Sequence, residues 1–398
     1  MNVFIDVTSS CRSGRNTGMQ RTTRRIFSEL SKRVSVTAIC WNGLGNFYHQ
    51  LGAPEQECLT APFRGKRRAQ SRPELFGENF PGELRRLLGR NKIDMFAALR
   101  SGDVLLAPDI YAKARTKTLP ELIRKTKASS IAIFHDAAAL RLDLLSSEAA
   151  KQFRDYIESL TAFDLVICIS EESRADLLKF WKQFGIEAVP EICVEGWPVE
   201  FDERERAGDS PTGRKIILYV SSFTPRKNHL KLFEAAKELW RSGIEFELRL
   251  IGSSTGNFGL KIVPQIRLLQ TAGWPIRWLK HVDDVALHRA YRECSFTVYP
   301  SLQEGFGLPI LESLWHGKPC VCGNNGALGE VAEGGGCFYV DQTSAASIAE
   351  GIRRLLRDGE VYQRLCAEAR ARKFRTWSNY IDKLLEYMQR AKANMHDR

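Results

Sequence analysis

Two cations lie side by side at a position where positive charge is normally avoided. Arg226 and Lys227 follow a predicted strand and precede a predicted helix that begins near Asn228. Positive charge is unfavourable at a helix N-terminus, because the helix macrodipole is positive there. The pair becomes favourable when an anion binds, since backbone N–H groups, an Arg fork and a Lys point charge together form a diphosphate or sulfate site. Two solvated loop cations are the alternative interpretation.

Two carboxylates flank a glycine-containing turn further along the chain. Glu304 lies on the loop after another predicted strand, and Pro309 predicts a helix that has Glu312 inside its first turn. Gly305 and Gly307 allow the backbone to approach a ligand closely. Carboxylates accept paired hydroxyls well, so the two glutamates suit a sugar ring and a ribose. Taken singly, Glu304 is compatible with a loop charge and Glu312 with an acid that complements the helix dipole.

The letters around these residues exclude two common phosphate-binding motifs. Residues 305–307 are followed by Leu308 and Pro309, so the third glycine of a dinucleotide fingerprint is missing. Residues 317–318 read Gly-Lys but continue into Pro319, so no P-loop is present. The sequence therefore disfavours an oxidoreductase and a P-loop NTPase.

The elements that position these charges alternate in type along the whole chain. Short β-branched runs separated by helical patterns predict parallel sheets, in which ligands bind beyond the carboxyl ends of the strands. Both charged pairs lie at such strand ends. We predict strands at residues 3–7, 36–40, 104–107, 131–134 and 165–169, and again at 216–220, 246–251, 276–279, 296–299, 320–322 and 337–340.

A charged, turn-rich stretch divides this alternation into two halves. Residues 200–214 lack periodicity, which indicates a linker. We therefore predict an α/β fold with two Rossmann-like, doubly wound domains at residues 1–199 and 215–375. Residues 376–398 predict one further amphipathic helix.

Composition bounds the class of protein. With 398 residues, of which 43% are hydrophobic, the chain has material for two cores, and it contains no apolar run long enough to span a bilayer. The ten cysteines are scattered, and we expect reduced, mostly buried thiols. Neither the histidines nor the acidic residues show metal-ligand spacing, so we expect no metal and no cofactor.

Positive charge is concentrated in the first third of the chain. The net charge is +11, and the densest basic stretch lies within residues 64–92. A solvated surface is one interpretation, and attraction to an anionic membrane face, worth about 1 kcal/mol per basic residue, is another. Nucleic acid is disfavoured, because no zinc finger, RNP-type aromatic motif or basic-region heptad accompanies the charge. We expect a cytoplasmic protein with peripheral contact at the inner face of the membrane.

The letters around the two charged pairs resemble a known family. The string from Tyr299 to Glu312, followed by Gly-Lys-Pro at 317–319, resembles the E-x7-E signature of the retaining glycosyltransferases of family 4. Residues 225–228 resemble the phosphate loop of the same family. Residues 6–8 and 17–21 resemble the opening of a subgroup that acts in bacterial O-antigen and capsule assembly, often as mannosyltransferases. The same subgroup has similar residues at 135–136, 170–174, 329–331 and 376–377.

The resemblance implies a fold and a reaction. The GT-B fold has two Rossmann-like domains that face a central cleft, with the acceptor on the first domain and the nucleotide-sugar on the second. The final helix, after Trp377, is expected to cross back to the first domain. The implied donor is GDP-mannose, and the implied acceptor is a glycan or a lipid-diphosphate-linked sugar in surface polysaccharide assembly. The anomeric configuration is retained, with no enzymic nucleophile.

In the second domain the resemblance assigns a role to each candidate residue. Arg226 and Lys227 neutralise the departing diphosphate, and Glu312 binds the ribose. Glu304 holds the transferred sugar together with backbone amides. These amides are those of Phe306, Gly307 and Leu308. Ser222 departs from the family, because many relatives carry an arginine there, and this weakens the cationic clamp unless Arg226 or Arg21 substitutes.

In the first domain the implied roles concern the loop before the first long helix and one histidine. Gly18 lets that loop approach donor and acceptor, with Gln20 or Arg21 beside the phosphates. His135 faces the sugar; without the resemblance, a histidine at a strand end is more often a core or capping group. Residues 137–140 differ from the usual stretch after His-Asp, which leaves the acceptor side open.

Two other classes of protein remain as alternatives. A nucleotide-sugar epimerase or hydrolase of the same fold releases a free nucleotide or a new sugar and needs no acceptor. A non-catalytic nucleotide or polyanion binder uses Arg226, Lys227 and the basic stretch, but has little use for both glutamates.

Overall fold

The chain forms two compact units in a computed structural model. The structure describes residues 1–12, 17–60, 91–201, 215–254, 258–280 and 282–396. Most of the basic stretch at 64–92 and most of the predicted linker at 200–214 lie outside the described residues. One unit ends at Pro198 and includes the segment from Thr376 onward, and the other is Val199–Arg375.

The described part of the first unit contains a mixed sheet of eight strands. They are β1 (Asn2–Asp6), β2 (Ser35–Asn42), β3 (Phe47–Gln50), β4 (Lys92–Ile93), β5 (Val104–Ala107), β6 (Ser129–Phe134), β7 (Leu165–Cys168) and β8 (Glu191–Val194). The strand order is β4-β3-β2-β1-β5-β6-β7-β8, and all neighbours are parallel except the antiparallel pairs β2/β3 and β3/β4. The order reverses between β1 and β5, which is where a doubly wound sheet opens a crevice.

Helices cover both faces of this sheet, as parallel strands require. They are α1 (Thr8–Arg12), α2 (Gly18–Leu30), α3 (Ala53–Thr60), α4 (Met95–Ala98), α5 (Arg115–Lys125), α6 (Ala138–Arg141), α7 (Ser147–Ser159), α8 (Glu171–Gln183) and the C-terminal helix (Trp377–His396), with a 3-10 turn at Leu160–Ala162. The C-terminal helix buries Tyr380, Leu384 and Met388 and contacts α2 and β6.

The second unit contains a sheet whose six described strands are all parallel. They are β9 (Ile216–Val220), β10 (Glu247–Ile251), β11 (Ile276–Trp278), β12 (Phe296–Tyr299), β13 (Cys320–Cys322) and β14 (Cys337–Tyr339). The order is β11-β10-β9-β12-β13-β14, so it reverses between β9 and β12. These two strands are direct neighbours, with Ile217 opposite Phe296 and Leu218 opposite Thr297. The loops that follow them therefore start side by side.

The helices of the second unit alternate with these strands. They are α9 (His229–Arg241), α10 (Gly259–Thr271), α11 (Asp284–Glu293), α12 (Leu308–Trp315), α13 (Gly326–Ala332), α14 (Ala345–Arg357) and α15 (Gly359–Ala371), with a 3-10 turn at Pro225–Lys227. Apolar residues at helical spacing bury one face of each long helix; on α14 these are Ile348, Ile352 and Leu355.

Every strand predicted from the sequence is present, but three strands are missed. The sequence does not predict β3, β4 and β8, because these strands are short and lack a sustained β-branched run. The prediction for Glu312 is also wrong in one respect. Gly307 takes a φ of 110° and helix α12 begins at Leu308, before Pro309, so Glu312 lies beyond the first turn.

Candidate active site at the strand-order reversal of the second sheet

The loops after β9 and β12 are joined directly through their backbones. The N–H of Leu302 donates to the carbonyl of Arg226 over 2.8 Å, and the hydroxyl of Ser301 donates to the same carbonyl over 3.1 Å. Because β9 and β12 are adjacent and parallel, their carboxyl ends lie at the same edge of the sheet. The residues that follow the two strands therefore start close together. The predicted cations and Glu304 therefore lie together.

Glu304 is the centre of a buried polar cluster. Its carboxylate pairs with the guanidinium of Arg226 and the ammonium of Lys227, and it also accepts a hydrogen bond from Ser301. The hydroxyl of Tyr299 donates to Oε1 of Glu304 over 3.0 Å and accepts from Nζ of Lys227 over 2.7 Å. We call Arg226, Lys227, Tyr299, Ser301 and Glu304 the Glu304 cluster. It carries two positive charges and one negative charge.

The charges around Glu304 decide its protonation state. Burial alone raises the pKa of this carboxyl, but the neighbouring charges of Lys227 and Arg226 outweigh burial and bring the pKa down to about 2. Glu304 is therefore ionised at neutral pH. It can accept hydrogen bonds from hydroxyls, and it cannot serve as a general acid there.

The two cations differ in how far they reach toward solvent. The side chain of Lys227 is 10% exposed and that of Arg226 is 24% exposed, so Arg226 is the more open member. Tyr219 donates its hydroxyl to the carbonyl of Lys227, and the ring of Tyr299 lies 5.1 Å from Nζ. Burial and pairing exclude the interpretation of two solvated loop cations.

A chain of side-chain amides fixes the loop that carries the cations. Asn228 adopts a left-handed conformation with a φ of 58°, which Asn tolerates better than most residues, and it forms the N-terminal cap position of α9. Its Nδ2 donates to the carbonyl of Gln342 over 2.6 Å, Gln342 donates to Asn325 over 2.5 Å, and Asn325 donates to the carbonyl of Leu302 over 3.0 Å. Both loops of the site are thereby held by the same network.

Glu312 lies in a separate buried cluster on α12. Its Oε2 accepts a hydrogen bond of 2.7 Å from the hydroxyl of Tyr291, whose ring stacks on His316 at 5.3 Å. Burial, followed by the charge of His288, lowers the pKa of His316 to about 3, so His316 is neutral. The phenol hydroxyl of Tyr291 thus positions the carboxylate of Glu312.

The glycine turn before α12 packs closely against side chains of its own unit, and the expected approach to a ligand stays a prediction. A Cβ at Gly307 would lie 3.1 Å from Cγ2 of Val331, and the positive φ there strains any other residue. Phe306 and Leu308 are partly buried and pack against the core of the unit. Their amides flank the N-terminus of an eight-residue helix.

Ser222 lies on the loop after β9, which approaches the loop after β10. The N–H of Phe223 donates to the carbonyl of Ser253 over 3.0 Å, and a Cβ at Gly252 would lie 1.7 Å from the carbonyl oxygen of Ser221. Gly252 therefore has to be glycine for these two loops to meet. The sequence analysis missed Gly252, although a glycine directly after a predicted strand is a usable signal.

The remaining candidates belong to the first unit and are engaged with its own backbone. His135 is buried, and its Nε2 lies 2.7 Å from the carbonyl of Pro108. Burial lowers the pKa of His135, so the ring is neutral, with Nε2–H as the donor and Nδ1 as the acceptor.

The loop before α2 shows a similar pattern. Gly18 is the first residue of α2, and Thr17 and Gln20 form a capping box in which the Gln20 side chain accepts from the backbone N–H of Thr17 over 3.2 Å. Arg21 lies one residue further along, with its N–H donating to the carbonyl of Thr17 over 2.9 Å. Gln20 is therefore a helix cap in this structure.

Three side chains that contact the two glutamates are not predicted from the sequence. Tyr299, Ser301 and Tyr291 hold the two glutamates, yet nothing in their residue type distinguishes them from other hydroxyl side chains. For Tyr299 a signal exists, because it is the last residue of the strand that delivers Glu304. For Tyr291 no signal exists, since it comes from α11, a different crossover.

The segment that contains both clusters matches a known family. Residues 200–372 match the family described as "Glycosyl transferases group 1". Residues 200–372 are a group 1 glycosyl transferase domain. The GT-B fold is confirmed by a solved structure, HepE of Anabaena in complex with UDP-glucose, which aligns with a TM-score of 0.66 over 97% of this chain and 100% of that chain at 17% identity.

Two relatives of this chain are mannosyltransferases by name. "Serotype-specific mannosyltransferase WbdA" of Escherichia coli is 23% identical over 373 residues, which are 89% of this chain and 42% of WbdA. A "GDP-mannose-dependent alpha-(1-6)-phosphatidylinositol dimannoside mannosyltransferase" of Mycobacterium tuberculosis is 25% identical over 305 residues, 73% of this chain and 76% of that protein. The chain spans less than half the length of WbdA. The names of these two relatives confirm the resemblance to mannosyltransferases.

The part of the chain that the structure describes contains no candidate membrane-spanning helix. None of the described helices combines the length and the apolar character needed to cross a bilayer.

Proposed function

We propose that the chain transfers a mannosyl residue from GDP-mannose to a hydroxyl of a glycan or lipid-diphosphate-linked acceptor, with retention of anomeric configuration. The observation that carries this proposal is the Glu304 cluster. It brings two cations and an ionised carboxylate together at the strand-order reversal of a group 1 glycosyl transferase domain. Surface polysaccharide assembly is the proposed setting.

The charge of the Glu304 cluster supports a diphosphate leaving group. Two cations face one carboxylate, so the cluster keeps an excess positive charge for an incoming anion. Arg226, as the more exposed cation, is the one that exchanges Glu304 for a phosphate oxygen when the donor binds. Lys227 stays between Glu304 and the phosphates. Stabilisation of the charge that develops on the departing diphosphate is typically a large catalytic term.

Oε2 of Glu304, which Arg226 has released, then binds the sugar, while Oε1 stays paired with Lys227. An ionised carboxylate accepts hydrogen bonds from two hydroxyls of a hexose, and the amides of Phe306, Gly307 and Leu308 add donors. The acceptor hydroxyl attacks the anomeric carbon from the face that the phosphate leaves, and the departing phosphate takes the hydroxyl's proton. Glu312, held by Tyr291, accepts the ribose hydroxyls in this proposal.

The names of the relatives support the donor. One relative is GDP-mannose-dependent and another is a mannosyltransferase, whereas HepE was solved with UDP-glucose. We therefore propose GDP-mannose as the donor and UDP-glucose as the nucleotide-sugar to test against it. No metal is proposed in the transfer step.

The first unit supplies the acceptor side of the proposal. His135 offers Nδ1 to a sugar hydroxyl, and Gly18, Gln20 and Arg21 line the loop that approaches donor and acceptor. A lipid-diphosphate acceptor agrees with peripheral binding to an anionic membrane through residues 64–92, most of which lie outside the described residues.

A thermal-shift titration of the full chain tests the proposal. GDP-mannose at 100 times its Kd is expected to stabilise the chain by about 2.7 kcal/mol. UDP-glucose is expected to stabilise it far less at equal concentration, and inorganic pyrophosphate is expected to bind weakly. Arg226→Met is expected to reduce the shift with GDP-mannose.

Three results separate the alternatives. Equal shifts with pyrophosphate and with every nucleotide identify a polyanion binder. Release of mannose or of an epimerised sugar from GDP-mannose without acceptor identifies a hydrolase or an epimerase. No shift with any nucleotide-sugar contradicts the proposal as a whole.

A further inference from the structure

Three potential metal ligands converge within the first unit, in a place that the proposed reaction does not use. Cys11 lies on α1, Cys40 in β2 and Glu55 on α3. One ligand atom from each lies within 4.8 Å of the other two, and all three residues are buried. Sγ of Cys11 lies 3.3 Å from Sγ of Cys40, and Sγ of Cys40 lies 3.8 Å from Oε1 of Glu55.

These separations are close to the edges of a tetrahedron around zinc. With Zn–S bonds of about 2.3 Å and Zn–O bonds of about 2.1 Å, two sulfurs lie about 3.8 Å apart and a sulfur and an oxygen about 3.6 Å apart. The thiol pair therefore needs to open by roughly half an ångström to share a zinc ion. To form a disulfide, with its S–S bond of about 2.05 Å, the sulfurs need to close by more than an ångström. Geometry thus favours a shared metal ion over a cross-link.

The charges near the three ligands also suit a divalent cation. Metal-bound thiols are deprotonated, and each releases one proton to solvent on binding. Two thiolates and the Glu55 carboxylate then carry three negative charges. A divalent cation together with Arg12, whose Nε lies 3.4 Å from Oε1 of Glu55, neutralises them. A buried site with no net charge avoids the desolvation cost of an unpaired ion.

His49 lies beside the group, with Nδ1 3.8 Å from Oε2 of Glu55, but both of its ring nitrogens have closer partners. Its Nδ1 lies 2.8 Å from the carbonyl of Gln50, and its Nε2 lies 3.0 Å from Nη2 of Arg12. Because arginine only donates, Nε2 is the acceptor and Nδ1–H donates to Gln50. His49 therefore holds Arg12 in place, and the protein supplies three ligands to a four-coordinate ion.

We propose that Cys11, Cys40 and Glu55 bind a zinc ion, with water in the fourth position. The ion connects α1 and α3 to strand β2 of the first sheet, and α1 lies in the connection between β1 and α2. The site departs from the expectation of no metal, because ligands at positions 11, 40 and 55 come from three different elements and form no sequence motif. It plays no part in the sugar transfer step.

Metal analysis of the full chain tests this site. The chain, purified in the presence of zinc, without an affinity tag that binds metal, and passed through gel filtration, is expected to retain about one zinc ion per molecule by mass spectrometry of the elements. Cys11→Ser and Cys40→Ser are each expected to lower zinc affinity more than tenfold. Cys58→Ser is the matched control, because Cys58 is also a buried thiol on α3 and donates to the carbonyl of Ser10 over 3.7 Å.

Cobalt substitution gives a second readout that does not depend on activity. Co²⁺ added to the metal-free chain is expected to produce thiolate-to-cobalt charge-transfer absorption and the visible bands of a tetrahedral site. Glu55→Gln, which keeps the size of the side chain, is expected to weaken these bands, and it replaces the cysteine variants if those fail to fold. Zinc is expected to raise the melting temperature of the metal-free chain but not that of Cys40→Ser.

Three outcomes overturn the proposal. One is a zinc content that is unchanged in Cys11→Ser and Cys40→Ser, and another is the lack of thiolate-to-cobalt absorption in the metal-free chain. The third is a Cys11–Cys40 disulfide, found by peptide mass mapping without reductant in a chain that had been offered zinc.

Discussion

Both sheets bury charged side chains where their strand order reverses, but the charges have opposite balance. In the second unit, Arg226 and Lys227 face the single carboxylate of Glu304. In the first unit, between β1 and β5, the carboxylates of Asp6 and Asp109 lie near the guanidinium of Arg115. Its Nη1 is 3.1 Å from Oδ2 of Asp6.

The partners of these carboxylates differ as well. Asp6 accepts a hydrogen bond of 2.9 Å from Tyr48, and Asp109 accepts from Ser10 over 3.2 Å and from Thr23 over 2.6 Å. The second reversal is therefore suited to an anion and the first to hydroxyl donors. The same architecture thus surrounds a carboxylate with two cations in one unit and two carboxylates with hydroxyl donors in the other.

The largest expected effect is on stability, from Lys227→Met. The substitution leaves the buried carboxylate of Glu304 with only the more exposed of its two cations, so the free energy of unfolding is expected to fall by about 3–5 kcal/mol. Lys231→Met is the control, because the Lys231–Glu234 pair is 43% and 47% exposed and its loss is expected to cost less than about 1 kcal/mol. Urea unfolding of the full chain measures both. Equal costs in the two variants would mean that the Glu304 cluster is not electrostatically coupled.

The next effect is on transfer. Glu304→Gln keeps the size of the side chain and removes the charge that pairs with the cations, so kcat is expected to fall about 10²–10³-fold, the typical cost of one lost electrostatic contact in a transition state. Mannosyl transfer to an acceptor glycan, measured with labelled GDP-mannose, gives the rate. Asp109→Asn is the matched carboxylate of the other reversal and is expected to retain most of kcat. A fall in kcat of the same size in Asp109→Asn would contradict the difference between the two strand-order reversals.

The two carboxylates are expected to give opposite pH dependences of stability. The pKa of Glu304 is lowered from 4.5 to about 2, so its stabilising contribution is complete above pH 4.5 and is lost as the pH falls toward 2. Burial raises the pKa of Asp109 from 3.8 to about 6, so its contribution is complete below pH 3.8 and is lost as the pH rises through 6.

Urea unfolding at a series of pH values between 2 and 7 measures this difference. Glu304→Gln is expected to be less stable than the wild-type chain at pH 7 and to converge with it near pH 2. Asp109→Asn is expected to gain up to about 2 kcal/mol relative to the wild-type chain between pH 4 and pH 7. The same direction of change in both variants would contradict the opposite charge balance.

The smallest effect concerns His135. His135→Gln keeps an N–H donor for the carbonyl of Pro108 and removes Nδ1, so it deletes the one neutral hydrogen bond that we propose between His135 and the sugar. Such a bond is worth about 1 kcal/mol, which predicts a fall in kcat of about fivefold. Because burial lowers the pKa of His135, the pH profile of kcat is expected to lack a titration of this ring. A hundredfold loss of kcat would mean that His135 contributes as much to the transfer step as Glu304.

The sequence predicts the convergence of Lys227 with Glu304, but not the details of their contact. Strand ends and helix mouths indicate where the two loops meet, because parallel strands deliver their following residues to one edge. Direct pairing of Glu304 with both cations depends on the register of β9 against β12 and on the amide network from Asn228, which no local pattern encodes. The start of α12 at Leu308, which places Glu312 beyond the first turn, is likewise not fixed by the position of Pro309.

For the first unit the sequence analysis depended on resemblance, and the structure adds structural roles to the same residues. The Thr17–Gln20 capping box is legible in the sequence as Thr-Gly-Met-Gln and would have indicated a helix cap. The backbone contact of His135 with Pro108 has no such signal, because the two residues come from different strand ends. The structural roles of these residues in the first unit can therefore be assigned only once their packing is known.

Hydrogen exchange of the full chain with and without donor measures the central claim directly. Saturating GDP-mannose is expected to slow exchange together in the segments 221–229 and 300–312, because one donor molecule contacts the cations after β9 and the carboxylates after β12. GDP alone is expected to slow exchange less around Glu304, since it lacks the sugar. Slowing in one segment without the other, under saturating donor, would contradict a shared site.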